Sequence, residues 1–382
     1  MRVLVSGGGT AGHINPALAI ADKIRKEWPD AVIEYVGTPK GMENKLAEQA
    51  GYKMHHVAVR GFARSLSPVN IDAAIKSVTS VIKAKRIIRE FKPDVVIGTG
   101  GYVSWPVLKA ASGAHIPTLI HEQNAVPGVT TKMLSKVVDK VMISFESSRQ
   151  CFTCDASKLI LVGNPVSEKM LSTDKASARR ALGIPSDAVV LLSAGGSLGA
   201  ARINDAVFEL VRDTLPKYPS LLHFHATGRS GYEEQAEKYR SLGFADIGGD
   251  ALQKGGVTVR QYIYNMPELL SAADIVICRA GAMTLSELAV KGKAAIIIPS
   301  PNVTNNHQYK NAKVLADAEA GILLTEDALS GETLSEAVGR LLADNAYRRR
   351  LENNVRAFGK TDTLDVIFGA IREVMEKYGR TV

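Results

Sequence analysis

The chain repeats itself. Ser6-Gly7-Gly8-Gly9-Thr10-Ala11-Gly12 lines up with Ser193-Ala194-Gly195-Gly196-Ser197-Leu198-Gly199. Farther on, Asp94-Val95-Val96-Ile97-Gly98-Thr99-Gly100-Gly101 lines up with Asp274-Ile275-Val276-Ile277-Cys278-Arg279-Ala280-Gly281, in the same order and at a nearly equal offset. Each segment joins a strand-like run to a helical pattern through a glycine-containing turn, which is the building unit of a doubly wound parallel sheet. Two sets in tandem predict an α/β chain of two doubly wound domains, with the cleft between them as the natural site. Apolar runs at 3–5, 33–36, 95–97, 118–120, 140–143, 189–192, 222–225, 275–277 and 295–298 supply strands between helical stretches. The expected division is 1–163, 164–357 and a terminal helix over 358–382 that packs back on the first domain.

Composition narrows the class. The 382 residues give room for two to three domains of about 150 residues. Hydrophobic residues at 46% and charged residues at 23% are globular proportions, so the chain is expected to fold throughout. Three cysteines, Cys151, Cys154 and Cys278, argue against a disulfide framework and for a reducing compartment. Cys151-Phe152-Thr153-Cys154 has zinc-like spacing but no second pair or His pair nearby, and reads as reduced thiols. No run of about 18 apolar residues occurs, and Met1-Arg2-Val3-Leu4-Val5 enters a strand without a leader, so the expected place is the cytosol or a membrane surface. The net charge of +8 fits nucleic acid, an anionic membrane or phosphorylated ligands. Only 6% aromatics and no helix-turn-helix or zinc module weigh against nucleic acid.

Four glycine loops follow strands: 7–12, 98–101, 195–199 and 281–284. Glycine there lets phosphate reach backbone N–H groups where the helix dipole favours anions. Gly7-x-Gly9-x-x-Gly12, with Glu34 beyond it, matches the dinucleotide fingerprint, and a tight turn would use the same glycines. A nicotinamide enzyme needs one such loop; loops in both domains fit two phosphate-bearing ligands, as in a transferase with a nucleotide donor and a phosphorylated acceptor. His13, at a helix start, is placed as a general base or as a capping histidine. His121-Glu122-Gln123-Asn124 puts four polar side chains in a row, which reads as binding. Glu287, on the helix after the fourth loop, can take both hydroxyls of a ribose, or be a solvated helix-face charge. No Asp-x-Asp occurs to seat a metal-bound diphosphate, so neutralisation falls to loops and cations, with no metal expected.

The basic stretch 71–91 carries two apolar stripes. If Val81, Ala84, Ile88 and Phe91 dock on the sheet, Ile71, Ala74, Ile75, Val78 and Ile82 face outward beside Lys76, Lys83 and Arg86, the pattern of an interfacial membrane helix. Each such cation near an anionic leaflet contributes about 1 kcal/mol. Two short core helices with a kink would leave the same pattern.

Gly8-Gly9-Thr10-Ala11-Gly12-His13, Gly98-Thr99-Gly100-Gly101-Tyr102-Val103-Ser104, His121-Glu122-Gln123-Asn124, Gly163-Asn164-Pro165, Gly195-Gly196-Ser197-Leu198-Gly199-Ala200 and the run from Cys278 to Glu287 together resemble the MurG family of peptidoglycan glycosyltransferases, in order across nearly the whole chain. The resemblance implies the GT-B fold, two facing Rossmann-like domains. It implies inverting transfer of N-acetylglucosamine from UDP to the 4-hydroxyl of undecaprenyl-diphospho-N-acetylmuramoyl-pentapeptide, at the cytoplasmic face of the cell membrane, with an anionic leaflet as partner, no nucleic acid and no cofactor. By position, the donor would be held by backbone at Ile263 against uracil and by Glu287 on the ribose. Ser197 and Ala282, Met283, Thr284, Leu285 and Ser286 would lie along the diphosphate, with Gln308 and Asn124 on the sugar hydroxyls. Gly8, Gly9, Gly100, Gly101 and Tyr102 would take the acceptor diphosphate, with Thr10, Ala11 and Gly12 beside them and His13 as the base.

Two positions depart from the family pattern. Asn164-Pro165-Val166 is followed by Ser167 where Arg is usual, with Arg279 or Lys169 as substitutes, and Trp105 stands where the family has Gly, either narrowing the acceptor mouth or anchoring it at the bilayer. Alternative readings are another UDP-sugar enzyme, such as a lipid glycosyltransferase or an epimerase, a nicotinamide oxidoreductase using Gly7 to Gly12 with Glu34, and a non-catalytic sugar-nucleotide sensor.

Overall fold

A computed structural model describes residues 1–59 and 69–380. The chain divides into two compact units, Met1–Val166 with Lys360–Val382, and Ser167–Gly359.

Among the described residues of the first unit, β1 (Arg2–Ser6), β2 (Val32–Gly37), β3 (Lys53–His56), β4 (Val95–Gly98), β5 (Thr118–Glu122), β6 (Lys140–Ile143) and β7 (Leu159–Leu161) form one parallel sheet in the order 3-2-1-4-5-6-7. The period-two alternation of strand side chains sets the two faces. Leu4, Val96, Ile120 and Val141 face the helices Val69–Phe91 and Ser104–Gly113, meeting Ala84, Ile88, Phe91, Val107 and Leu108. Val3, Val5, Ile97 and Leu119 face the other way, onto Ile20 and Ile24 of the helix Ala11–Glu27 and onto Ile367, Ile371 and Val374 of the helix Thr363–Lys377. The last helix thus completes a face of the first sheet.

In the second unit β8 (Val189–Ala194), β9 (Leu221–Ala226), β10 (Ala245–Asp246), β11 (Ala251–Lys254), β12 (Val257–Arg260), β13 (Ile275–Cys278), β14 (Ala294–Ile297) and β15 (Ile322–Leu323) run in the order 10-11-12-9-8-13-14-15. From β12 to β15 the pairing is parallel and repeats the order of the first sheet, with β8 in the place of β1 and β13 in the place of β4. The repeated aspartates have one job. The Arg2 N–H donates to Asp94 and the Val190 N–H donates to Asp274, each at 2.8 Å, fastening the entry of the central strand to its neighbour. An antiparallel ladder, β10-β11-β12, edges this otherwise parallel sheet. Its β11–β12 turn uses Gly255 at φ +55°, and two- to four-residue strands around a glycine turn carry little periodic signal.

The stretch 71–91 lies within one continuous helix, Val69–Phe91, so the two-helix alternative is not what forms. Ala84, Ile88 and Phe91 are buried and Ile82 is 63% exposed. The side chains of Ile71, Ile75, Lys76 and Val78 lie outside the described residues.

Both cores enclose neutral imidazoles. In the second unit the Ser193 hydroxyl lies 2.8 Å from His223 Nε2 and 2.7 Å from His225 Nδ1, all three fully buried. Burial pushes His225 down to about 4 and His223 well below its ordinary value. In the first unit burial likewise brings His121 to about 4, against the opposing pull of the Gly163 carbonyl. In the unfolded chain these rings take a proton near pH 6.5, which the folded cores refuse, so stability falls as pH drops through 6.5 and keeps falling towards 4. His121 and His225 each contribute a penalty of about 3 kcal/mol by the low end of that window. Thermal melts stepped from pH 7.5 to 5 should therefore show a falling Tm before most carboxylates titrate; a flat Tm over that range would contradict the buried-neutral assignment.

Candidate functional site

The strand order places two glycine loops side by side in each unit. In the first, β1 and β4 are neighbours and the order reverses at β1, so the loops that follow them meet at the carboxyl edge where open α/β sheets bind ligands. Gly101 meets Gly8 backbone on backbone, and Gly7 meets the Thr99 side chain. A Cβ on Gly101, at φ +76°, would lie 2.3 Å from the Gly8 carbonyl oxygen, and one on Gly7 would lie 2.1 Å from Thr99 Oγ1. Gly100, at φ +102°, lies against the His13 ring.

Hydrogen bonds then hold the loops in place. Buried Tyr35 donates its hydroxyl to the Gly7 carbonyl at 2.7 Å. Thr99, also buried, donates its N–H to Ser6 and its hydroxyl to the His13 carbonyl at 2.7 Å. The Ser104 hydroxyl bonds the carbonyls of Ser6 and Gly100.

His13 Nδ1 lies 3.2 Å from the Gly8 carbonyl oxygen and 3.3 Å from Thr10 Oγ1. A carbonyl only accepts, so Nδ1 carries the proton and Nε2 carries the lone pair. The half-buried ring is therefore held in the tautomer whose basic nitrogen is on the Gly100 side. Thr10 and Gly12 are exposed and Ala11 is half-buried at the start of the helix Ala11–Glu27, and Tyr102 is 55% exposed.

Beneath the first loop sits a carboxylate that sequence reading passed over. Glu43 is fully buried, enclosed by Gly8, Gly37 and Gly41, each of which would clash with it if it bore a Cβ. Its carboxylate accepts the Thr38 N–H at 2.8 Å, the Thr38 hydroxyl at 2.7 Å and the Gly9 N–H at 3.3 Å. Burial alone would raise its pKa, but these donors reverse the effect and hold it below the usual range. The available signal was the pair of glycines at 37 and 41 just ahead of the acid.

The polar run at the end of β5 is internal rather than outward. His121, Glu122 and Gln123 are buried, and each is spent on neighbours: His121 donates Nε2–H to the Gly163 carbonyl at 2.8 Å, and Gln123 donates to the Thr99 carbonyl at 2.9 Å. Glu122 accepts the Asn124 N–H and side-chain amide at 3.1 Å each and the Gly128 N–H at 3.0 Å. Of the four, Asn124 alone is half-exposed, on a turn that Glu122 shapes.

Trp105 lies in the first turn of the helix Ser104–Gly113, half-buried, with part of its ring packed against the core. Glu34 is paired with Lys53 at 3.0 Å and with His55, so its carboxylate is not presented to a ribose beside the first loop.

In the second unit the loops after β8 and β13 are neighbours in the same way. Gly199, at φ +93°, would set a Cβ 2.2 Å from the Thr227 carbonyl oxygen, and the Ser197 carbonyl accepts the Arg229 N–H. Ser197 is exposed. Gly281 caps the helix Ala282–Lys291 without a side-chain bond, Ala282 and Leu285 are buried, and Met283, Thr284 and Ser286 are half-buried. Ala282, Leu285 and the buried Ile263 can therefore meet a ligand chiefly through backbone. Glu287 lies one helical turn on, where burial pushes its carboxyl up to about 7. Gln308 spends its side-chain carbonyl on the Ser300 N–H at 2.8 Å, which leaves its amide N–H groups to donate.

Arg279 and Lys169, the substitutes for the missing arginine, are paired with Glu326 at 2.9 Å and Glu268 at 2.7 Å. Among the described residues no group of three or more His, Cys, Asp and Glu side chains could hold a metal ion.

The chain matches the glycosyltransferase family 28 N-terminal domain over residues 3–143 and the glycosyltransferase family 28 C-terminal domain over residues 190–366. It is 41% identical over 379 residues to a UDP-N-acetylglucosamine--N-acetylmuramyl-(pentapeptide) pyrophosphoryl-undecaprenol N-acetylglucosamine transferase of Acetivibrio thermocellus, covering 98% of this chain and 99% of the relative. Among solved structures it is similar to Acinetobacter baumannii MurG, with a TM-score of 0.75 and 27% identity over 97% of this chain and 99% of the other. It is also similar in fold to a UDP-N-acetylglucosamine 2-epimerase described as putative from Listeria monocytogenes, with a TM-score of 0.70 at 13% identity over 99% and 98%.

The Gly8–Gly101 contact makes a prediction. Gly101→Ala forces a Cβ into the Gly8 carbonyl at a positive φ, so it should displace the 7–12 loop and lower stability by about 1–3 kcal/mol. Hydrogen exchange at Gly8 to His13 should speed up in the variant; unchanged exchange would contradict the contact.

Proposed function

The chain belongs to glycosyltransferase family 28, and from that premise we propose that it is an inverting N-acetylglucosaminyltransferase that moves the sugar from UDP-GlcNAc to undecaprenyl-diphospho-MurNAc-pentapeptide in peptidoglycan synthesis, with donor and acceptor divided between its two units. The observation that carries the chemistry is the tautomer of His13, whose Nδ1–H is spent on the Gly8 carbonyl.

Nε2 takes the proton of the muramoyl 4-hydroxyl as that oxygen attacks the anomeric carbon. The bond to C1 forms on one face while the bond from C1 to the UDP β-phosphate oxygen breaks on the other. The electron pair leaves with UDP, and the configuration inverts. In the first unit the loops at Gly8, Gly9, Gly100, Gly101 and Tyr102, with Thr10, Ala11 and Gly12, hold the acceptor diphosphate on backbone N–H groups and the helix dipole.

In the second unit the Ile263 backbone holds the uracil and Glu287 the ribose. Ser197 and the helix start from Ala282 to Ser286 hold the donor diphosphate, where charge-assisted bonds of about 1.5–3 kcal/mol each favour its departure. Gln308 and Asn124 hold the sugar hydroxyls.

We place the enzyme at the cytoplasmic membrane surface, peripheral rather than spanning. Among the described residues no helix is long and apolar enough to cross a membrane. The exposed Ile82 and Lys83 on the helix Val69–Phe91 support an interfacial contact with an anionic leaflet.

The direct test is transfer of labelled GlcNAc from its UDP donor to a short-chain polyprenyl-diphospho-muramoyl-pentapeptide in detergent. Acceptor-dependent product is expected, and His13→Ala should lower turnover by about 10²- to 10⁴-fold with UDP binding intact; undiminished turnover overturns the base assignment. The elevated Glu287 carboxyl gives a second check. Ribose hydroxyls donate to its ionised form, so UDP affinity should rise as pH climbs through about 7, and Glu287→Gln should flatten that rise. A slope unaffected by Glu287→Gln contradicts the ribose contact.

A further inference from the structure

We propose that Glu43 is a positioning residue for His13, acting through the Gly8–Gly9 peptide bond. The two hydrogen bonds that define this link belong to one amide. The Gly9 N–H donates to Glu43 Oε2 at 3.3 Å, and the Gly8 carbonyl of the same peptide accepts His13 Nδ1–H at 3.2 Å. A trans peptide is planar with its N–H and C=O on opposite sides, so pinning the N–H to a fixed carboxylate aims the carbonyl away from it, at the imidazole. The carboxylate also polarises that amide, making its oxygen a better acceptor for Nδ1–H, and chains of hydrogen bonds reinforce one another in a low-dielectric site.

The surroundings are built for this arrangement. Gly8, Gly37 and Gly41 give way around the Glu43 side chain, and Gly101 gives way at the Gly8 oxygen. Thr38 fixes the other carboxylate oxygen with two donors. Tyr35 anchors the preceding carbonyl, Gly7, so the loop has little freedom to rotate the Gly8–Gly9 plane. The other titratable groups here are Tyr35, whose hydroxyl burial keeps protonated, and His121 at the end of β5, which burial keeps neutral. Glu43 is the negative charge that reaches His13 through this peptide.

The inference rests on the reading of His13 as the base, and its test separates the two. In Glu43→Gln, the two Thr38 donors select the amide oxygen for the Oε1 position, leaving NH₂ to confront the Gly9 N–H. The variant should lose about tenfold in kcat with an unchanged KM for UDP-GlcNAc, and no further activity should be lost when it is added to His13→Ala. The His13 imidazole signal, followed by NMR and assigned with His13→Ala, should titrate about half a pH unit lower in Glu43→Gln, because the removed charge favours the imidazolium. Glu43→Asp keeps the charge but shortens the reach to Gly9, and serves if the glutamine variant does not fold; its His13 midpoint should fall by less.

An unmoved midpoint in the folded variant overturns the Glu43 proposal whatever the role of His13. Equal kcat losses in the parent and His13→Ala backgrounds also overturn it. Undiminished turnover in His13→Ala alone overturns the base reading, while a shifted midpoint would still support the link from Glu43 to the ring.

Discussion

In each unit the site depends on two backbone segments approaching more closely than any side chain would permit. Gly101 lies on the Gly8 carbonyl and Gly199 on the Thr227 carbonyl, both glycines at positive φ. That approach brings the loops after two adjacent central strands together at one sheet edge, with helix N-termini and backbone N–H groups in the same place. The pairs differ, the loops after β1 and β4 in the first unit and those after β8 and β9 in the second; what the internal repeat preserves is an aspartate that fastens the entry of each central strand pair.

Charge is used sparingly. Glu43 is ionised under a loop read as binding an anion, and its negative charge is taken up by three donors before it could repel a ligand. Burial pushes the Glu287 carboxyl up to about 7. The core histidines are kept uncharged. In the proposed function, diphosphate is left to oriented amides and helix dipoles, which need no reorganisation as charge develops.

Much of the fold was legible because the central parallel strands are buried on both faces and read as apolar runs, β1, β4 and β8 ending in glycine. The outer strands β3, β7 and β15 and the antiparallel ladder β10-β11-β12 were not, since those strands have two to four residues and are too short to carry a period. The loops could be located from residue type and spacing, but the destination of side chains could not. His121, Glu122 and Gln123 look like a binding row, yet satisfy buried backbone and turn groups. Glu43 was passed over because its local signal, glycines at 37 and 41, also fits an ordinary turn, and its link to the first loop, the Gly9 N–H, is brought to it by the strand order.

The central claim is the division of substrates, with the nucleotide held by the second unit and the acceptor diphosphate by the first. Hydrogen–deuterium exchange with saturating UDP tests it most directly. The account predicts slowed exchange at amides 196–199 and 282–287, with amides 8–12 and 100–102 unchanged. Protection of the first-unit loops by UDP, with none at the second-unit loops, would contradict it.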